Sequence, residues 1–249
     1  MVDLRKEGVV VFGARRWLRL AAAVVPLAAM LPGPPSAFAD GGLPLGGGAG
    51  IVVDASYCTL TTIGHDGAGD LVGFTSAHCG GPGAQVFAEG TAGTVGNVVA
   101  TDDDLDYALI KFDPAKVTAI PDFAGFAING IGPDPIRDEI ACKQSRASGN
   151  ACADVWGPGP DPATLTIYEC GDPDDDGAPV TVNDLLIGMV RGGFTQNGSC
   201  PIPWAGFIRQ HLLILQNLRP EVVLISAILA DVNAKGGPGA GFVPVLRPN

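Results

Sequence analysis

The segment Phe74-Thr75-Ser76-Ala77-His78-Cys79 sets a histidine at the end of an apolar run. Further along, Asp106-Tyr107-Ala108-Leu109-Ile110 opens another apolar run with a carboxylate. An imidazole has two inequivalent nitrogens and an ordinary pKa of about 6.5. A carboxylate on one nitrogen fixes the tautomer, and the other nitrogen is then free to move a proton near neutral pH. A histidine followed by such an aspartate is the base-and-orienter half of a Ser-His-Asp triad, which still needs a nucleophile. A third segment, Asp172-Pro173-Asp174-Asp175-Asp176-Gly177, concentrates carboxylates. Its Asp172-x-Asp174-x-Asp176-Gly177 pattern matches the opening of a calcium loop of the EF-hand kind. The bidentate acid that such a loop requires at its twelfth position is replaced by Asn183, with Asp184 one place late. No cofactor is therefore the expectation, with calcium at Asp172, Asp174 and Asp176 as the alternative. The run Asp102-Asp103-Asp104 reads as a solvated turn.

The elements that must position these groups are short. Gly and Pro number 36 and 21 in 249 residues, which is too much punctuation for a helix bundle. Hydrophobic residues make up 47% of the chain, enough to bury a core. Apolar runs at about ten-residue spacing predict strands over 51–53, 57–63, 71–75, 84–87, 94–100 and 108–112. A Pro-rich connector follows over 113–135. A second set is expected over 138–143, 151–156, 164–168, 179–182, 185–190 and 206–215. Residues 221–234 read as a helix, started by Pro220 and ended before Gly236-Gly237. Two groups of about six strands and a terminal helix predict an all-β chain of two small barrels.

Residues 1–39 read as an export signal: a basic stretch with Arg15-Arg16, an apolar stretch from Leu20 to Leu31, and Ala37-Phe38-Ala39 before the cleavage point. The apolar stretch is shorter than the ~20 residues of a spanning helix, and no later stretch qualifies. The Arg15-Arg16 pair points to the twin-arginine route. The expected destination is the medium or the cell envelope. The domain plan is a Gly-rich extended arm over 40–50, an N-terminal barrel over 51–125, a C-terminal barrel over 126–219, a helix over 220–235 and a tail over 236–249. In the tail, Phe242 is expected to dock on the body. Cys58, Cys79, Cys142, Cys152, Cys170 and Cys200 form an even set, which reads as three disulfides in an exported chain, with the pairing open. The net charge of −11 excludes a backbone-reading nucleic-acid binder, which needs a basic face.

Several motifs, in order, resemble the chymotrypsin-like serine proteases, and most closely the bacterial streptogrisin and α-lytic branch. Thr75-Ser-Ala-His78-Cys79 is similar to the family's Thr-Ala-Ala-His-Cys, and Asp106-Tyr-Ala-Leu-Ile to its Asp-x-Ala-Leu-Ile. Cys142-Lys-Gln-Ser-Arg146-Ala-Ser148-Gly149-Asn-Ala-Cys152 resembles the branch's Cys-Lys-x-Gly-x-Thr-Thr-Gly-x-x-Cys loop. Gly188-Met-Val-Arg191-Gly192-Gly193 resembles the Gly-x-x-Ser-Gly-Gly strand that walls the primary specificity pocket. The resemblance spans roughly residues 51–235. It implies a chymotrypsin-like double β-barrel with a C-terminal helix. It also implies the pairings Cys58–Cys79, Cys142–Cys152 and Cys170–Cys200, and a buried aspartate held by an internal base, for which Arg146 stands in the matching loop.

The nucleophile segment departs from the family. Where the branch has Cys-x-x-Pro-Gly-Asp-Ser-Gly-Gly-Pro, this chain has Cys170-Gly-Asp-Pro-Asp174-Asp175-Asp176-Gly177-Ala-Pro179. Aligned on the cysteine and the prolines, the oxyanion-hole glycine falls on Asp174, the buried acid on Asp175 and the nucleophilic serine on Asp176. Arg191 replaces the pocket-strand serine, beside Gly192 and Gly193. Ser199 sits next to Cys200 and offers no replacement nucleophile. Carboxylates at Asp174 and Asp176 oppose acyl transfer, because they remove the hydroxyl and repel the developing oxyanion. The expected function is a secreted protease homologue, impaired in catalysis, that binds a peptide or protein in the former cleft. A residual endopeptidase and a calcium-stabilised structural module are the alternatives. An Asp176–His78 ion pair that keeps the imidazole protonated is expected.

Overall fold

A computed structural model describes residues 41–167, 175–191 and 221–247 of the chain. The described residues hold one α-helix, α1 (Ile225–Lys235), among strands. The first strands are β1 (Leu43–Leu45), β2 (Gly50–Val53), β3 (Ser56–Thr59), β4 (Thr62–His65), β5 (Leu71–Thr75), β6 (Gln85–Ala88), β7 (Thr94–Asp102) and β8 (Tyr107–Phe112). The short pieces β9 (Val117–Ala119), β10 (Asp122–Phe123) and β11 (Phe126–Ala127) lie inside the Pro-rich connector. The later strands are β12 (Ile140–Ser145), β13 (Gly149–Pro158), β14 (Thr164–Ile167), β15 (Pro179–Val182), β16 (Leu185–Arg191), β17 (Glu221–Leu224) and β18 (Val243–Pro244).

Fourteen of these strands build two units, while β1 with β9 and β10 with β11 pair separately as two-stranded sheets. One is an eight-stranded sheet in the order β18-β4-β5-β8-β7-β6-β2-β3, and the other is a closed barrel in the order β12-β13-β14-β17-β16-β15. The all-β double-barrel architecture with a C-terminal helix, expected from the punctuation and the motifs, is what the chain adopts. β5 and β8 explain why the sheet is continuous. Successive side chains on a strand point to opposite faces. On β5, Leu71 enters the core inside the sheet, while Val72 and Phe74 enter the core shared with the barrel and helix. On β8, Ala108, Ile110 and Phe112 face the first core and Tyr107 and Leu109 the second. Both strands are therefore covered on both sides, which is why they read as unbroken apolar runs. They pair antiparallel with Thr75 opposite Ala108. That register sets the residues just after β5 beside those just before β8.

Two expectations are corrected by the packing. Residues 221–224 belong to β17, not to the helix. Val222 and Val223 are fully buried, and β17 closes the barrel between β14 and β16, so two β-branched side chains go where a strand is required. The helix starts only at Ile225, buries Ile225, Ile228 and Val232 along one face, and stops at Gly236 (φ 68°). Of the arm, the described residues 41–50 pack into the body. β1 pairs parallel with β9, and Leu45 and Ala49 are buried.

The tail folds back as a strap on the sheet. β18 pairs with β4, and Gly239 donates its N–H to Asp66 Oδ2 at 3.0 Å. Phe242 packs edge-on against Phe74, with ring centroids 5.0 Å apart. Phe242→Ala is expected to lower stability by about 2 kcal/mol. That is less than the cost of a central phenylalanine, because a terminal strap can come away locally. Chemical denaturation checks it, and a loss under about 0.5 kcal/mol would show that the strap carries no load.

Candidate active site

His78 lies on a single 3-10 turn, Ala77–Cys79, that leaves β5. The disulfide Cys58–Cys79 ties that turn to β3. Asp106 ends the β7–β8 turn in the left-handed region (φ 51°), a conformation that aspartate tolerates better than most residues. Its carbonyl accepts the Ala77 N–H at 3.2 Å, and its Oδ1 accepts the His78 N–H at 3.2 Å. The same carboxylate lies 3.0 and 3.1 Å from His78 Nδ1. On the other side of the ring, His78 Nε2 lies 2.7 Å from Asp176 Oδ2.

Both ring nitrogens thus face carboxylates. Such an environment favours the doubly protonated imidazolium, which donates to each side. The hydrogen bond to Asp106 is the largest cause, the one to Asp176 the next, and partial burial opposes both. The pKa of His78 is pushed up from 6.5 to about 10. The ring is 45% exposed, so water screens part of this gain. A proton held more tightly in the folded than in the unfolded chain stabilises fully below about pH 6.5 and fades as pH rises through about 10. After that screening, His78 is expected to contribute about 1–2 kcal/mol. Urea denaturation of the wild type and of His78→Asn checks it. Their stability difference should shrink between pH 6 and pH 10.5, and a constant or widening gap would contradict it.

The Asp176 segment is fixed from three sides. The Asp176 carbonyl accepts Thr59 N–H at 3.0 Å, Gly177 N–H donates to Val190 O at 3.0 Å, and Thr61 Oγ1 donates to Gly177 O at 2.7 Å. Gly177 has φ 81°, and a Cβ there would stand 2.3 Å from Thr59 O, so only glycine fits. Beneath the segment, Asp175 is fully buried against an equally buried Lys143. Lys143 Nζ donates to Asp175 Oδ2 at 2.5 Å and to Ser148 Oγ at 2.8 Å. Ser148 Oγ donates to Asp175 Oδ2 at 2.9 Å, and Ser145 Oγ donates to Asp175 Oδ1. Asp176 Oδ1 is buried without a hydrogen-bond partner among the described residues. An unmet oxygen of this kind costs about 1–3 kcal/mol.

No protein-family model and no curated protein matches this sequence. Solved structures do match. Thermobifida fusca Protease A shares 13% identity at a TM-score of 0.59, over 82% of this chain and 100% of its own. Nocardiopsis protease shares 15% at 0.57, over 82% and 100%. A glutamic acid specific serine protease shares 12% at 0.60, over 81% and 100%. This chain has the chymotrypsin-like double-barrel fold. At these identities the likeness concerns the fold, and the chemistry must be read from this chain's own side chains.

Within this double barrel, His78, Asp106 and Asp176 come from three distant segments and meet in one hydrogen-bonded row. Asp172, Asp174, Gly192, Gly193, Cys170 and Cys200 lie outside the described residues, so the oxyanion-hole position, most of the pocket strand and the expected Cys170–Cys200 bridge do as well. Asp176 turns its carboxylate to His78. Cys142 and Cys152 are bonded across the β12–β13 hairpin. Arg191, at the end of β16, donates from Nη1 to the Asp104 carbonyl at 3.2 Å, which directs it to the turn before Asp106.

The expected partner of Asp175 is corrected. Lys143, not Arg146, holds that carboxylate. Arg146 turns outward, where Nε and Nη2 each donate to Glu89 at 2.9 Å and its guanidinium covers Tyr57. The period of two along β12 carried the signal. Ala141, Lys143 and Ser145 alternate inward, whereas Arg146 lies beyond the strand end.

Proposed function

We propose that this chain is an exported, disulfide-bonded protease homologue that is disarmed for acyl transfer and holds a peptide or protein segment in its cleft without cutting it. One observation carries the reading: a carboxylate oxygen, not a hydroxyl, stands 2.7 Å from His78 Nε2. A carboxylate that attacks an amide carbonyl gives a tetrahedral adduct from which the carboxylate is the better leaving group, so the adduct reverts. The imidazole, already paired on both sides, has no hydroxyl proton to take. The retained double barrel supports binding, since the neighbours that share it are proteases that hold polypeptide. Among the described residues no helix is long and apolar enough to cross a membrane.

The test is a library of extended peptides presented to the purified chain. Binding is read by perturbation of the His78 imidazole resonances and cleavage by mass spectrometry. The reading expects shifted resonances with intact peptides. Cleaved peptides, or labelling of the wild type by a fluorophosphonate probe, would overturn it.

A further inference from the structure

We propose that Lys235, the last residue of α1, is a positioning residue for the His78 clamp: with Asp231 it locks both ends of the turn between β7 and β8, and so holds the Asp106 carboxylate against Nδ1. This turn is the acidic run of the sequence, with Asp102, Asp103, Asp104 and Asp106 within five residues. Like charges this close repel one another and favour a splayed turn. The strand ladder does little to prevent that. A register shift between Val98 and Ala100 cuts the end of β7 off from the rest, and three pairs remain beyond it, the last being Asp102 opposite Tyr107. Asp106 directly precedes Tyr107, so its carboxylate goes where that pair goes.

Both members of that pair are gripped from the helix. Lys235 Nζ donates to Asp102 Oδ2 at 2.5 Å and to the Tyr107 hydroxyl at 3.4 Å. The Tyr107 hydroxyl in turn donates to Asp231 Oδ2 at 2.5 Å, and Lys235 Nζ lies 2.7 Å from the same oxygen. The Tyr107 ring is buried, with the ammonium 5.5 Å from its centroid. Asp102 passes the grip along the turn, because its Oδ1 accepts the Leu105 N–H at 2.8 Å, one residue before Asp106. The hydrogen bond from Lys235 is the largest cause that holds the Asp102 carboxyl below its ordinary value, and partial burial opposes it. Arg191 reaches the turn only at the Asp104 carbonyl, and its ion pairs go to Asp161 and Glu221. Apart from His78 itself, Lys235 is therefore the cation among the described residues that pairs with a carboxylate of this turn. An isolated surface pair contributes little, but an ammonium shared by three groups of a network is the exception. A lysine at a helix C-terminus also complements the helix dipole, and that role alone leaves His78 untouched.

The experiment titrates the His78 ring by NMR in the wild type, in Lys235→Met and in Lys235→Arg, all without peptide. Losing a nearby positive charge would by itself raise the pKa of an imidazolium, whereas a loosened Asp106 lowers it. The expected result is a fall of at least about 0.5 pH unit in Lys235→Met, a roughly threefold weaker hold on the proton. The His78 Nδ1–H signal should also exchange faster with water in that variant. Lys235→Arg keeps the charge and is expected to show less than half of the fall. A pKa that is unchanged or raised in Lys235→Met overturns the proposal. So does an equal fall in both variants, since the charge at the turn would then not be what holds Asp106. Lys235 is 48% exposed, so both variants are expected to fold, and the same spectra report whether they do. The inference goes beyond the reading above, because it concerns what holds the row and not what the cleft holds. Its failure would leave peptide binding untouched, and a failure to bind peptides would leave the His78 shift in place.

Discussion

The double variant Asp174→Gly/Asp176→Ser is expected to label with a fluorophosphonate probe at its introduced serine, and to hydrolyse small activated esters at least about 10³ times faster than the wild type. The reasoning starts from His78 and Asp106. Their geometry already supplies an oriented imidazole, with Nδ1 3.0 Å from the carboxylate. Replacing Asp176 by serine removes a negative charge and puts a hydroxyl where Oδ2 now meets Nε2. His78 then loses one of the two carboxylates that hold its proton, so its pKa falls toward the neutral range in which it acts as a base. Glycine in place of Asp174 takes a second charge out of the segment that the motif register assigns to the oxyanion hole. Each change addresses a separate defect, so neither single variant should match the pair. Ester hydrolysis by the wild type equal to that of the double variant would contradict the disarmed reading.

Lys143→Met is expected to destabilise the fold by about 3–5 kcal/mol, as read by chemical denaturation. Lys143 and Asp175 are both fully buried, and taking away the ammonium removes the positive charge that balances the carboxylate, which also accepts from the Ser145 and Ser148 hydroxyls. Replacing both charges should recover much of the loss, since burying an ion pair offsets most of its own attraction. Lys143→Met/Asp175→Leu is therefore expected to be more stable than Lys143→Met alone. Arg146→Ala should cost about 1 kcal/mol or less, because the Arg146–Glu89 pair is partly solvated. If Arg146→Ala were the more damaging of the two single changes, the assignment of Lys143 as the internal base would fail. The pair also matters for the site. Asp175 precedes Asp176, and its carbonyl takes the Ala178 N–H at 2.9 Å, so a charge stranded at Asp175 disturbs the segment that presents Oδ2 to His78.

Much of this molecule is legible in the residue order, and the reasons are local. β5 and β8 are short apolar runs bounded by turn residues, and a strand covered on both faces can hardly read otherwise. His78 follows one by three residues and Asp106 directly precedes the other, so antiparallel pairing of the two runs suffices to bring them together. The carboxylate at Asp176 stands out because a register on one cysteine and two prolines leaves no hydroxyl at that place. Other features depend on tertiary context. Glu221 to Leu224 continues into a helical pattern, and only the open seam between β14 and β16 makes it a strand. Lys143 and Arg146 are equivalent as charges in a loop motif. Strand alternation separates them, and its weight is clear only once Ala141 and Ser145 are seen to face the same interior. The packing of Leu45 and Ala49 has no signal in a Gly-rich arm, because β1 finds its partner in β9, more than sixty residues away.

The central claim is that His78 is clamped as an imidazolium between Asp106 and Asp176. A pH titration of the His78 ring by NMR tests it most directly. The account predicts a pKa of about 10, falling by more than one pH unit in Asp176→Asn. A His78 that titrates at or below about 6.5 in the wild type would contradict it, because an imidazole held by two carboxylates cannot lose its proton that readily.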